Sequence, residues 1–307
     1  MSQARIQVPA TSANLGPGYD CAGLALQLYD ELSAQTFDDD RLQVVISGEG
    51  ENTVPRNASH LVVKAIARGF AEAGLKLPGL RLECVNRIPH GRGLGSSSAA
   101  IVGGLALARE LIPNGREVLN DQRFLQVATD IEGHPDNVAP AILGGFTVAW
   151  MTGNPERGSA IRLVPSAQLQ PVVLIPKSKL ATQRARELLP EAVPHADAAA
   201  NAARAALLVH AITQAPELLL EATKDLLHQD YRRFAYPQSH AVMSELRKAG
   251  IPATISGAGP TVIAFGISGS DLDGNRVEAA ASQALADVKA DSEFEVRQLG
   301  VDLDGVK

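Results

Sequence analysis

The chain has 307 residues, 45% apolar and only 4% aromatic, and its 28 basic and 34 acidic side chains give a formal charge of -6. That size and apolar content suit one large or two ordinary domains around a true core, and exclude disordered, collagen-like and coiled-coil chains. No run of about 18 apolar residues is free of charge, no leader-like apolar stretch opens the chain, and no Lys/Arg run is present, so neither membrane nor nucleic acid is an expected partner. Cys21 and Cys84 make neither a metal pattern nor a disulfide framework, which points to a reducing, cytoplasmic setting. The negative balance poses a problem for any polyanionic ligand, which local groups would have to hold against the overall field.

In chain order, short apolar or alternating runs predict strands over 5–9 and 41–47, with further strand-compatible positions over 23–34. Leu61, Val62, Ala65, Ile66, Gly69 and Phe70 recur at helical spacing and predict a helix over 60–74. Alternation of Leu80, Leu82, Cys84 and Ile88 predicts a strand over 80–88. A Gly/Ser-rich segment over 89–99 (PHGRGLGSSSA) then feeds an almost wholly apolar helix over 99–112. A helix over 121–132, with Phe124, Leu125, Ala128 and Ile131 on one face, halts at Gly133-His134-Pro135, and a strand is expected over 142–151. The turn-rich stretch 152–159 marks a possible domain edge. Beyond it the pattern predicts a strand over 171–176, helices over 197–214, 216–228 and 238–249, and a strand–turn–strand over 251–267. A helix over 275–289 and a strand over 294–301 complete a half that suits a sheet with helices on one face.

The sharpest local feature is the 89–99 segment. Gly91, Gly93 and Gly95 at every second position let the backbone turn its N–H groups toward a bulky ligand. Ser96, Ser97 and Ser98 then open a helix whose first N–H groups lack internal partners and sit at the positive end of the dipole. Phosphate suits such a place. The glycine spacing is wrong for a dinucleotide fingerprint, there is no lysine for a Walker A loop, and Gly95-Ser96-Ser97-Ser98-Ala99 misses the hydrolase elbow at its last residue. A plain structural turn remains the bland alternative.

Three segments together carry more information than this loop alone. They are VPATSANLGPGYD from Val8 to Asp20, the 89–99 loop, and ISGAGPT from Ile255 to Thr261. In that order they resemble the GHMP small-molecule kinases, which include galactokinase and mevalonate kinase. PATSANLGPGYD and HPDNVAP from His134 to Pro140, followed by Leu143-Gly144-Gly145-Phe146, resemble the homoserine kinase branch most closely.

The resemblance implies an α+β fold of two domains. One is N-terminal, ATP-binding and like domain 2 of ribosomal protein S5 (1–160), and the other is ferredoxin-like and C-terminal (161–307). It implies ATP, Mg²⁺, phosphorylation of the side-chain hydroxyl of L-homoserine on the route to threonine, and a homodimer. By the family pattern Pro89, His90, Gly91, Arg92, Gly93, Leu94, Gly95, Ser96, Ser97, Ser98 and Ala99 wrap the triphosphate, and Ser97 and Glu132 hold the metal. One hydroxyl and one carboxylate suit Mg²⁺, which keeps waters and phosphate oxygens around it. Substrate contacts carry over to Asn14, Asp20, His134, Asp136, Asn137, Thr182, Arg186 and Arg232, with Asp136 and Asn137 nearest the chemistry. An arginine fork suits a carboxylate, and Asp20 or Asp136 would face the ammonium.

Read without the resemblance, Glu132 is a solvated helix end, the arginines are surface ion pairs, and Thr182 is a helix cap. Two departures stand out. His60 occupies the place where family members often carry an asparagine against adenine, and Arg92 adds a charge to the loop, where it could meet phosphate or simply face solvent. Another small-alcohol kinase, acting for example on mevalonate or shikimate, and a non-catalytic ATP-binding member are the alternatives.

Overall fold

The computed structural model describes residues 2–154 and 156–307. β1 (Gln3–Asn14) and β2 (Gly18–Phe37) form a long antiparallel hairpin in which Gln3 faces Gln35 and Ala13 faces Gly23. β3 (Leu42–Gly48), α1 (Leu61–Glu72) and β4 (Gly79–Asn86) make a crossover unit whose two strands are parallel. There follow α2 (Ser96–Leu111), α3 (Gly115–Val118), α4 (Asp121–Glu132), α5 (Pro135–Leu143) and the hairpin β5 (Phe146–Thr152) and β6 (Arg157–Leu163). These strands form one sheet, ordered β3-β4-β2-β5-β6 with β1 on β2.

A second sheet begins with β7 (Leu169–Pro176). Five helices come next: α6 (Thr182–Arg186), α7 (His195–Thr213), α8 (Leu219–Ala222), α9 (Gln229–Arg232) and α10 (Pro237–Lys248). β8 (Ala253–Ile255), β9 (Val262–Ile267), α11 (Gly274–Asp287) and β10 (Phe294–Gln298) complete an antiparallel sheet ordered β10-β7-β9-β8.

α2 is the pillar of the first half. Its apolar side chains, among them Ile101, Val102, Leu105 and Leu107, are all but fully buried, as an almost uniformly apolar helix must be. Gly104 lets α1 come close, because a Cβ there would lie 2.7 Å from Val62 O. This packing fixes the N-terminus of α2, and with it the serines, at the rim of the first sheet.

Several sequence expectations change in the folded chain. Residues 135–143 are helical, so the strand expected from 142 starts at Phe146. Pro135 at the first helical position and Gly144 at the end are the local features that bound this helix, which the sequence reading did not anticipate. The helix expected over 216–228 breaks after Ala222. There Thr223 Oγ1 donates to Leu219 O, and Asp225 accepts the backbone N–H groups of Leu227, His228 and Gln229, which starts a new turn.

The 152–159 turn lies within the β5–β6 hairpin, so residue 160 falls inside β6 rather than at an edge. The last residues return to the first sheet: Gln7 and Lys307 exchange two backbone hydrogen bonds, and Leu26 bridges Val301. α10 and α11 cover one face of the second sheet. Its other face, through Val173, Ile175, Ile263 and Phe265, joins the core of the first half together with Leu208, Ala211 and Ile212 of α7.

Candidate active site

A cavity of about 280 Å³ opens where the tip of the β1–β2 hairpin, the glycine-serine loop, the start of α5 and the 256–259 turn meet. The hairpin tip is strained. Asn14, Leu15 and Gly16 take φ of 68°, 50° and 88°, a left-handed run that a leucine rarely joins. Bonds from the C-terminal half hold it there. Gly257 N–H donates to Ala13 O, Asn14 Nδ2 to Gly257 O, Asn201 Nδ2 to Pro17 O, and His228 Nε2 to Gly16 O, each at 2.8–2.9 Å.

Gly91, Gly93 and Gly95 adopt φ of 67°, 76° and 70° and all border the cavity. Two of them admit no side chain for a second reason, since a Cβ on Gly93 would lie 2.4 Å from Ser256 O and one on Gly95 1.9 Å from Thr11 Oγ1. Gly95 is followed at once by α2, so Ser96, Ser97 and Ser98 present unpaired helix-start N–H groups beside it. Ser97 Oγ donates to Glu132 Oε2 at 2.6 Å and Ser98 Oγ to Oε1 at 2.8 Å. This is a hard-oxygen set with one carboxylate, and among the described residues no three His, Cys, Asp or Glu side chains gather into a metal cluster.

Across the cavity the charges are of both signs. Asp20 takes Arg186 in a bidentate pair at 2.9 and 3.1 Å. Arg232 is 2% exposed. Its Nε donates to Ala185 O, and its two Nη atoms face His228 Nδ1 and the Tyr19 hydroxyl at 3.4 Å. No ion pair to Arg232 is present among the described residues. Since His228 donates from Nε2 and accepts at Nδ1, its ring is neutral. Burial, the largest influence, also pushes its pKa down.

His134 Nδ1 is in close contact with Asp136 Oδ1. Burial opposes the His134 imidazolium, but the hydrogen bond and charge of Asp136 outweigh it and raise the pKa. Asn137 Oδ1 accepts from Thr11 Oγ1 at 2.7 Å.

A second cavity, about 230 Å³, adjoins the first through Ser96 and Ser97 and is bordered by Asp30, Leu61, His60 and His90 among others. His60 Nδ1 accepts from Val62 N–H and caps α1, which leaves the ring proton on Nε2. That nitrogen is buried without a partner among the described residues. Burial holds the His60 pKa below its usual value, so the ring is a neutral donor.

Comparison with known proteins decides the family. The profile described as "GHMP kinases N terminal domain" matches residues 60–145, and "GHMP kinases C terminal" matches 197–288. A homoserine kinase of Streptomyces coelicolor is 51% identical over 302 residues, covering 98% of this chain and 93% of that protein. The chain belongs to the GHMP kinases.

A homoserine kinase of Clavibacter michiganensis subsp. michiganensis is 46% identical over 99% of this chain and 93% of its own. Among solved structures, homoserine kinase from Cytophaga hutchinsonii superposes with a TM-score of 0.83 at 24% identity, over 100% of this chain and 97% of that one. L. major mevalonate kinase does so at 0.67 and 12% identity, over 97% and 95% of the two chains. At such identities the likeness speaks for the α+β fold alone.

Most of the residues expected from sequence meet in this GHMP kinase. Asn14, Asp20, Gly91, Gly93, Gly95, Ser96, Ser97, Glu132, His134, Asp136, Asn137, Arg186 and Arg232 all border the first cavity, although the two most distant are 218 positions apart in sequence. Asn14 serves the wall, its amide being engaged by Gly257 O and Asp20 N–H. Pro89, Leu94 and Ala99 are buried anchors of the loop rather than lining.

Arg92 is neither solvent-facing nor turned to the cavity. Its guanidinium donates to Pro176 O and Lys177 O and meets Glu49, tying the loop to the end of β7. The side chain of Thr182 lies outside the described residues. Sequence reasoning missed Tyr19, Asp30 and His228. Tyr19 sits inside the quoted Val8–Asp20 segment and His228 at the end of the helix expected over 216–228, but only tertiary contacts give them a purpose.

Proposed function

We propose that the chain transfers the γ-phosphoryl group of ATP to the side-chain hydroxyl of L-homoserine, giving O-phospho-L-homoserine and ADP on the route to threonine. The observation that carries this reading is the charge content of the acceptor side. Arg232 is a buried guanidinium with no ion-pair partner among the described residues, beside an Asp20–Arg186 pair. A zwitterion satisfies all three: its carboxylate takes the arginines and its ammonium takes Asp20. Mevalonate or shikimate would bring a carboxylate but no ammonium. Relatives about half identical to this chain, named homoserine kinases, support the same choice.

Phosphoryl transfer asks the protein for position and charge compensation more than for covalent work. The loop glycines and the α2 start wrap the triphosphate, and His60 Nε2–H meets a ring acceptor of adenine in the adjoining cavity. Mg²⁺, held by Ser97 and Glu132 together with phosphate oxygens and water, would compensate the phosphate charge. His134 keeps Asp136 in place, and Asp136 and Asn137 orient the acceptor. A loose transition state needs no early deprotonation of the hydroxyl, so Asp136 acts by positioning rather than as a base.

Two free thiols and the biosynthetic role suit the cytoplasm. A homodimer would find apolar surface on the β5–β6 edge, where Trp150, Met151 and Ile161 are exposed, and light scattering would give its mass. The activity is tested by ADP release across homoserine, serine, threonine, mevalonate and shikimate. ADP that rises only with homoserine is expected. No homoserine-dependent ADP above background would sink the reading.

A further inference from the structure

The acceptor side contains one polar group that no motif role explains. Tyr19 stands on the cavity wall between the two guanidinium groups. Its phenolic oxygen accepts an N–H from Arg186 at 3.3 Å and another from Arg232 at 3.4 Å. Its ring centroid lies 5.2 Å from Arg232 Cζ and 6.0 Å from Arg186 Cζ, and the His228 ring is 5.2 Å away. Two cations and an imidazole therefore fix both the plane of the ring and the place of its hydroxyl.

A phenol offers one proton and can accept at its oxygen. Here the oxygen is turned to both arginines, which only donate to it and cannot accept its proton. The hydroxyl proton must point elsewhere, and no acceptor for it is present among the described residues. Tyr19 borders the cavity, so what fills the cavity can supply that acceptor.

We propose that Tyr19 donates its O–H to the carboxylate of the amino-acid acceptor, as a third donor beside Arg186 and Arg232. This rests on the homoserine reading and deepens it, because it makes Tyr19 a determinant of the requirement for an α-carboxylate. Burial first, and the Asp20 charge second, push the Tyr19 pKa above its ordinary value against the pull of the arginines, so the phenol keeps the proton it donates.

Tyr19→Phe keeps the ring, its cation contacts and its stacking, and removes the hydroxyl, both its O–H donor and the long contacts it accepts from the two arginines. The probe beside homoserine is 3-aminopropan-1-ol, which carries the hydroxyl and the ammonium at the same spacing but no carboxylate. In the variant the KM for homoserine should rise about tenfold, as for one hydrogen bond to a charged group. The KM for ATP and the kcat/KM for the amino alcohol (or its Ki against homoserine, if turnover is too slow) should stay within about twofold. The preference for homoserine over the amino alcohol then falls about tenfold. Equal losses toward both acceptors, or an unchanged KM for homoserine, overturn the role of Tyr19 while leaving the kinase reading intact. A wild-type protein that releases no ADP with homoserine overturns both.

Discussion

The phosphate side and the acceptor side of the cavity are built in opposite ways. The first is a run of neighbours, Gly91 to Ser98, whose backbone does most of the work through left-handed glycines and a helix start. The second is gathered from the hairpin tip, the start of α5, α6 and α9, and works through side-chain charge. A contiguous backbone cradle recognises phosphate through N–H groups alone and holds nothing that depends on the acceptor. On the proposed reading, the scattered side chains choose the acceptor.

That contrast can be broken by substitution. The largest effect is expected on the acceptor side, where Arg232→Met removes a buried charge and its bonds. The kcat/KM for homoserine should fall on the order of a thousandfold while the KM for ATP stays put, and a comparable rise in the ATP KM would erase the distinction between the two sides. On the phosphate side, Glu132→Gln should lower kcat about a hundredfold and raise the Mg²⁺ concentration needed for half-maximal rate, with homoserine KM little changed. A Mg²⁺ dependence identical to wild type would remove Glu132 from the metal.

Asp136→Asn comes next. It should raise homoserine KM about twentyfold and leave the pH dependence of kcat alone. A pH profile that shifts while KM holds would make Asp136 a base. His60→Ala should raise the KM for ATP about fivefold, and losing the α1 cap should cost about 1 kcal/mol of stability. Equal KM values for ATP would empty the second cavity of its assigned base.

The smallest effect is on stability. The folded pKa of His134 is raised, so the stabilisation from its contact with Asp136 is complete below the unfolded value of 6.5 and is lost as pH rises through the folded value. Asp136→Asn should therefore lower Tm more near pH 6 than near pH 9 (both approximate settings), as thermal scans would show. A loss independent of pH would mean that no charged His134 is involved.

Much of this was legible in the chain. The helical spacing of Leu61 to Phe70 became α1, the apolar run after Ala99 became α2, and the three motifs met at one cavity. Three local misreadings have local causes. The helix over 135–143 was hidden in a segment read for its chemistry, Thr223 and Asp225 diverted backbone bonds that a leucine-rich run predicted, and a turn-rich stretch proved to be a hairpin within one sheet.

Composition and order alone pointed to N–H groups and a helix start, rather than a basic patch, as the means by which a negatively charged chain would hold a polyanion, because glycine spacing and a serine-led helix are properties of consecutive residues. Only the tertiary structure decided how the named side chains are used. Arg92 was free to meet phosphate until β7 offered it carbonyls. Arg232 could have been a surface ion pair until burial beside Tyr19 and His228 left it facing the cavity. A long, flexible cation takes its role from whatever acceptors the fold brings within reach, and no stretch of sequence specifies those.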